Sequence, residues 1–283
     1  MALNGIVTAD KLQDKLFQRQ IMQEIIKDGS GYASLNNPAV VKQAAVRGTK
    51  VSITSRDSVT VVKDLKELEE NSVKSPDYGS ITCDLLADEI KVAFTDEALA
   101  NATVADPMNM SIGDASAQFA RALDEKIAAA LDTTPQAGTT IDVTSKSFYF
   151  AAAEAAGKMG RYHMSAIVTG PTAAGNIFAG LTSTDQKSAG WTVQNGITYL
   201  SGYNIPIIVS SEIEELASGY AYFVSNEAPA AYVFTGQYKT RVYDDPDHRA
   251  TIWQGDVWNG VLSNIRQTGG YNTGVVKTQI TTT

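Results

Sequence analysis

The chain has 283 residues, 43% of them hydrophobic, which is enough to bury a sizeable core, and it carries a formal net charge of −8 with a pI near 4.8. That balance argues against a dedicated nucleic-acid binder, which would show a basic face; the cations, among them Lys63, Lys66, Lys74, Lys91, Arg121 and Lys126, form no dense block. A lone cysteine, Cys83, excludes an intrachain disulfide and a cysteine-built metal site, and no apolar run reaches the about 18 residues of a membrane span.

The N-terminus lacks the basic-then-apolar pattern of a signal peptide, so folding in a cytoplasm is expected. Thr8 to Lys27 reads as an amphipathic helix: Thr8 is a good N-cap, Asp10 sits in the first turn, and Leu12, Leu16, Ile21 and Ile25 form an apolar stripe. "DGSG" stops it, and a loose segment with Pro38 and Gly48 reads as an arm. Lys50 to Lys63 alternates like a strand. A charged, turn-rich stretch follows, and Ile81 to Phe94 alternates again. The pattern predicts two long strands joined by a polar tip, with little apolar mass at its end.

Ile112 to Leu131 is the clearest helix, with Phe119, Leu123, Ile127 and Ala130 at helical spacing and Ser111 or Asp114 as its cap. A second helix is expected over Ser145 to Met159. A short buried strand follows in Ser165 to Pro171, and a third helix opens on Pro171. The α-β-α order points to an α+β or α/β layer. Beyond it the chain is β-rich. A hairpin turns at Ser201 to Asn204, "YAYFVSN" and "AAYVFTGQ" are strands, and two more flank the turn "DDPD". The polar tail "QTGGYNTGVVKTQITTT" reads as edge-like or frayed.

Chemistry is hard to find. His163 and His248 are the only histidines and read as surface or turn residues. Asp244, Asp245, Asp247 and His248 could offer oxygens to a divalent cation, but the spacing is not that of an EF-hand loop, and a solvated turn fits better. Cys83 has no basic neighbour to activate it. Nucleophile-elbow, P-loop and zincin motifs are absent, and "GGYNTG" follows no βαβ context. Nothing pairs the carboxylates Glu69, Glu70, Asp84, Asp88 and Glu89 as acid and base. No residue is assigned to catalysis, a cofactor or a metal. A polar ribbon and an arm with no evident partner in their own chain suit a protein held by its neighbours. The candidate inter-subunit contacts are Glu69, Glu70, Lys74 and Asp77 near the tip, and Arg241 and Arg249 flanking the acidic turn.

The order of elements resembles the major capsid proteins of tailed double-stranded DNA phages, the Hong Kong 97-type fold. "LEENSVKSPDYGSITCDLLADEIKVAFTDEALAN", with Thr95, Glu97 and Leu99 near its end, is similar to that family's extended loop returning to the body. "IGDASAQFARALDEKIAAAL", with Asp124 and Glu125, looks like its spine helix. "GITYLSGYNIPIIVSS" looks like its axial-domain hairpin, with Leu200, Gly202, Pro206 and Val209 matching.

The resemblance implies an α+β chain with an N-terminal arm (1–49), an extended β-hairpin loop (50–94), a peripheral domain with the spine helix (95–144 and 239–283) and an axial domain (145–238). It implies a non-enzymatic subunit that self-assembles as pentamers and hexamers into an icosahedral shell. Double-stranded DNA is enclosed without sequence-specific binding, scaffolding, portal and decoration proteins are possible partners, and no membrane is involved. The location would be the virion, assembled in the host cytoplasm. Some relatives join a loop lysine to a neighbour's asparagine; Lys63, Lys66 or Lys74 and Asn259 or Asn264 lie in the corresponding elements. Three alternatives stay open: an encapsulin-type compartment of the same fold, a tail or baseplate protein, and a metal-dependent hydrolase built on Asp244, Asp245 and Asp247.

Overall fold

Four successive buried residues, Ala166 to Thr169, mark the centre of the molecule. A strand buried at every position needs cover on both faces, and the computed structural model supplies it. The structure describes residues 35–56, 78–95, 107–144, 148–160, 162–181, 191–194, 197–200, 204–227, 231–263, 267–268 and 271–282. Among the described residues, fifteen strands and four helices run in the order β1 (Lys42–Ala45), β2 (Lys50–Arg56), β3 (Tyr78–Asp84), β4 (Leu86–Thr95), α1 (Pro107–Leu131), β5 (Pro135–Ala137), β6 (Ile141–Asp142), α2 (Phe148–Met159), β7 (Ala166–Thr169), α3 (Pro171–Leu181), β8 (Trp191–Gln194), β9 (Ile197–Leu200), β10 (Ile205–Val209), α4 (Ser211–Ala217), β11 (Tyr220–Val224), β12 (Ala231–Asp245), β13 (Ala250–Ser263), β14 (Gln267–Thr268) and β15 (Tyr271–Thr281). This is the expected α+β class.

A nine-stranded mixed sheet runs β14-β15-β11-β7-β10-β9-β8, with β5 and β6 also paired to β15. Its strands alternate between two cores. Ala166, Val168, Ile208, Tyr222, Val224 and Val275 face one way and pack with Leu123, Ile127 and Leu131 of α1 and Ile213 of α4. Ile167, Ile207, Phe223 and Val276 face the other way and pack with Phe148, Ala151 and Ala155 of α2 and Ile177 of α3. The Phe148 and Phe223 rings stack at 5.7 Å. Burying a side chain of this kind stabilises by roughly 1.5–3 kcal/mol. The turn into β10 places Asn204 at φ 54, a left-handed conformation that asparagine tolerates better than most residues.

A second sheet has four strands in the order β1-β12-β13-β4. It packs the N-terminal half of α1 through Phe94, Ala115, Phe119, Trp253 and Val257. The antiparallel pair β2–β3 forms a third, two-stranded sheet, with Lys50 opposite Asp84 and Arg56 opposite Tyr78. This is the base of the expected hairpin. Its tip, residues 57–77, lies outside the described residues, as does the helix expected over Thr8 to Lys27.

Four expectations need correction. Ile81 to Phe94 is not one strand: it breaks at Leu85, after which β4 leaves the hairpin and pairs with β13. Leu85 is buried, and its N–H still bonds the Thr49 carbonyl at 2.8 Å as the chain leaves β3. The spine helix starts at Pro107, so Ser111 and Asp114 lie inside it; proline favours a first helical position because its missing N–H would have no partner there. "AAYVFTGQ" and "KTRVYDD" are one strand, β12, irregular between Thr235 and Tyr238. A Cβ on Gly236 would sit 2.9 Å from Leu85 Cδ2 and 3.1 Å from Trp258 Cβ, so a larger residue at this bend would have to displace both neighbours. Finally, the tail is neither edge-like nor frayed. Residues 271–281 form β15, held by β11 on one side and by β14, β5 and β6 on the other, with Val275, Val276 and Ile280 buried. Its β-branched residues outweigh its polar composition.

Candidate functional site

Among the described residues, three charged clusters fasten α1, two of them to the sheets and one to α4. At the C-terminal end of α1, Asp132 accepts hydrogen bonds from the Tyr222 hydroxyl (2.7 Å) and from Lys277 Nζ (2.6 Å). The Lys277 ammonium also lies 4.6 Å from the Tyr220 ring centroid and 5.4 Å from that of Tyr222. A cation here suits the negative end of the helix dipole. Burial pushes the Tyr222 hydroxyl well above its ordinary range, and Asp132 adds to the shift. In the middle of the helix, Arg121 donates to buried Glu212 (3.1 Å) and to exposed Glu215 (3.2 Å), both on α4.

The third cluster joins α1 to the four-stranded sheet. Lys126 Nζ donates to both oxygens of Asp88 on β4 (2.8 and 2.6 Å) and to Asn259 Oδ1 on β13 (2.7 Å). Asn259 Nδ2 donates to Asp88 Oδ2 at 2.8 Å, closing a triangle. Asn259 is buried, and Lys126 and Asp88 are partly exposed. The β4 pleat explains the placement: Asp88, Ile90, Val92 and Phe94 are its more covered positions, and Asp88 shares their face. Sequence reasoning missed these clusters because their members lie 38 to 171 residues apart. The i, i+2 relation of Asp88 to Ile90 was the only local signal.

Among the candidate contact residues, Glu69, Glu70, Lys74 and Asp77 lie outside the described residues, as do Lys63, Lys66 and Asn264. Arg241 is exposed on β12 opposite Gln254. Arg249 is exposed in the β12–β13 turn at φ 45. The structure therefore places these two arginines on one hairpin and does not bring them into a site. In the same turn Asp245 lies 2.8 Å from His248 Nδ1, and Thr251 donates to Asp244. The His248 hydrogen bond holds the Asp245 carboxyl below its usual range. Among the described residues no three His, Cys, Asp or Glu side chains come together to hold a metal. His163 pairs with Glu227 at 3.1 Å. Burial, aided by Asp84, pushes the Cys83 thiol up, the opposite of activation.

The surface of the four-stranded sheet is unlike that of the nine-stranded one. Leu86 is 65% exposed, Val242 41% and Tyr243 42%. β1 pairs only with Tyr232 to Thr235, so Tyr238 to Asp245 of β12 have β13 as their one strand partner among the described residues. An open edge with apolar residues beside it can accept another chain. Phe150 on α2 and Leu216 on α4 are also exposed. No helix of the described residues is long and apolar enough to cross a membrane.

No protein-family model matches the sequence, and no curated protein matches it. Solved structures do. The capsid structure of the cyanophage P-SCSP1u superposes with a TM-score of 0.63 at 10% identity, covering 88% of this chain and 88% of that one. The capsid of a native GTA particle gives 0.63 at 12% identity, over 87% of this chain and 91% of that one. A structure from Microbacterium phage Oxtober96 gives 0.61 at 14% identity, over 90% and 92%. The chain has the Hong Kong 97-type fold of phage major capsid proteins.

Proposed function

We propose that the chain is a structural subunit of a phage-type capsid, assembling through copies of itself into the pentamers and hexamers of an icosahedral shell. The observation that carries this reading is a capsid fold shared along nearly the whole length of both chains, without a large insertion that would house a separate activity. The subunit acts by binding its own kind and is not an enzyme. It resides in the virion, assembles in the host cytoplasm and encloses double-stranded DNA without reading its sequence. A net charge of −8 fits a wall that does not grip phosphates.

The proposed division is an arm (1–49), an extended loop (50–94), a peripheral domain (95–144 and 239–283) and an axial domain (145–238), except that β4 joins the four-stranded sheet rather than the loop and β15 joins the nine-stranded sheet beside β11. The loop extends from the β2–β3 pair, and Glu69, Glu70, Lys74 and Asp77 near its tip would meet a neighbouring subunit. Arg241 and Arg249, beside the open edge of β12, are the proposed contacts on the body. Scaffolding, portal and decoration proteins are proposed further partners.

Negative-stain microscopy of the purified full chain, with size-exclusion chromatography, tests the reading. Closed shells, or rings of five and six, are expected. A protein that stays monomeric even after incubation with lysate from its native source would overturn it. An encapsulin-type compartment is the second reading, since it shares the fold. Particles from native source that hold DNA support the virus, and particles that hold a protein cargo without DNA support the compartment.

A further inference from the structure

The open stretch of β12 ends in "KTRVYDD", residues 239–245, with two cations at one end and two carboxylates at the other. From that order we propose that β12 pairs antiparallel with β12 of a second copy, about a two-fold axis through Val242. The proposal rests on the reading that copies of this chain assemble, and it names one contact between them. Antiparallel pairing centred there sets Lys239 opposite the partner's Asp245, Thr240 opposite the partner's Asp244, Arg241 opposite the partner's Tyr243, and Val242 opposite the partner's Val242. Opposite charges meet at both ends, a guanidinium meets an aromatic ring, and the central apolar residue meets itself; cross-strand pairs of these kinds are favourable. Parallel pairing in register sets lysine on lysine and aspartate on aspartate, so the charge order selects the antiparallel form.

The burial pattern agrees. Arg241 to Asp244 are four successive exposed residues. A strand with one face covered alternates between buried and exposed, so this stretch stands clear on both faces as well as at its edge. The stretch is also bounded. At one end lies the irregularity between Thr235 and Tyr238, and at the other Pro246, which has no N–H to continue a ladder. Within the chain, Thr251 donates to Asp244, and His248 lies 2.8 Å from Asp245; neither partner is a lysine or an arginine. Residues directly opposite in an antiparallel pair share a face. Val242 lies opposite Trp253, which packs on α1, so the two copies carry α1 on the same side of one continuous sheet. Subunits of a closed wall need that arrangement, because the wall has one inside. The contact is isologous: the same patch serves both copies.

Disulfide trapping in the full chain is the test. A residue on the two-fold axis meets its own copy at about 4.5–5.5 Å between Cα atoms, within disulfide reach. Val242→Cys, oxidised at neutral pH, should therefore give a covalent dimer at twice the chain's 30.2 kDa on a non-reducing gel. Lys239→Cys alone should give none, because its two copies stand about 20 Å apart along the strands. Lys239→Cys combined with Asp245→Cys should give the dimer again. The unaltered chain, whose lone Cys83 is buried, is the control. In the Val242→Cys background, Lys239→Asp should lower the dimer yield severalfold, and adding Asp245→Lys should restore it. No dimer from Val242→Cys, an equal dimer from Lys239→Cys alone, or a yield indifferent to Lys239→Asp overturns the pairing. Shells that form without the Val242→Cys dimer sink this contact and leave the shell reading standing. The dimer without shells or rings does the reverse.

Discussion

The two large sheets use the same residue types to opposite ends. The nine-stranded sheet is covered on both faces, by α1 and α4 on one and by α2 and α3 on the other, and its central strand β7 is buried at every position. The four-stranded sheet has one helix, α1, on one face, and its far reaches leave Leu86, Val242 and Tyr243 in solvent. The first sheet is stabilised from within its own chain. The second is covered near the helix, where polar clamps hold it, and at the seam with β2–β3, where Cys83, Leu85 and Phe234 pack together, while among the described residues it leaves open edge and exposed apolar side chains elsewhere. On the proposed reading, one sheet secures the fold and the other would offer contacts to neighbouring copies.

That contrast can be broken by mutation. The largest expected effect is in the nine-stranded sheet. Phe223→Ala, which empties a site stacked on Phe148, should destabilise by about 3–5 kcal/mol in chemical denaturation. A cost below about 1 kcal/mol would mean that this core is loosely packed. At the seam with the β2–β3 sheet, Gly260→Ala should cost about 1–3 kcal/mol. The new methyl would stand 2.9 Å from Cys83 Sγ and 3.1 Å from the Asp84 carbonyl oxygen, and a backbone oxygen cannot easily yield.

Next comes the open end of the four-stranded sheet. The double change Val242→Asp and Tyr243→Asp should shift the stability of the isolated chain by no more than about 0.5 kcal/mol, yet abolish particles in sedimentation. Unaltered particles would remove this surface from the assembly. The smallest effect concerns pH. Bonds from the His163 backbone and side chain hold the Glu227 carboxyl below its ordinary value. Its contribution is therefore full above the unfolded carboxylate pKa of about 4.3 and lost as pH falls through the depressed folded value. Glu227→Gln should shallow the decline of the thermal midpoint below about pH 4; an unchanged slope would show that other carboxylates set it.

The sequence made the covered elements legible and the meeting places obscure. Helical spacing from Phe119 to Ala130 found α1, and the apolar run at Ala166 found β7, because both signals are local. Proline at 107 marks the true helix start, but the helical spacing is read only from Ile112, five residues further on. β15 was misread because its threonines, glycine and lysine look like a tail, while its burial is set by β11 and β5, which lie far away in sequence. The Lys126, Asp88 and Asn259 triangle was beyond reach for the same reason: no spacing rule links residues in a helix to two strands whose pairing is unknown. Arg241 and Arg249 were found as exposed charge, and the structure adds only their place on one hairpin.

The position of β15 also governs when the sheet can close during synthesis. β11 and β7 precede it in chain order, yet β11 pairs with it along its whole length, from Tyr220 opposite Gln279 to Val224 opposite Val275. As the chain leaves the ribosome, β11 spends that interval with a bare apolar edge, and pairing at such separation is slow. Nascent chains are thus most vulnerable to sticking to one another just before residues 271–281 emerge. A chaperone that shields them would act in that window.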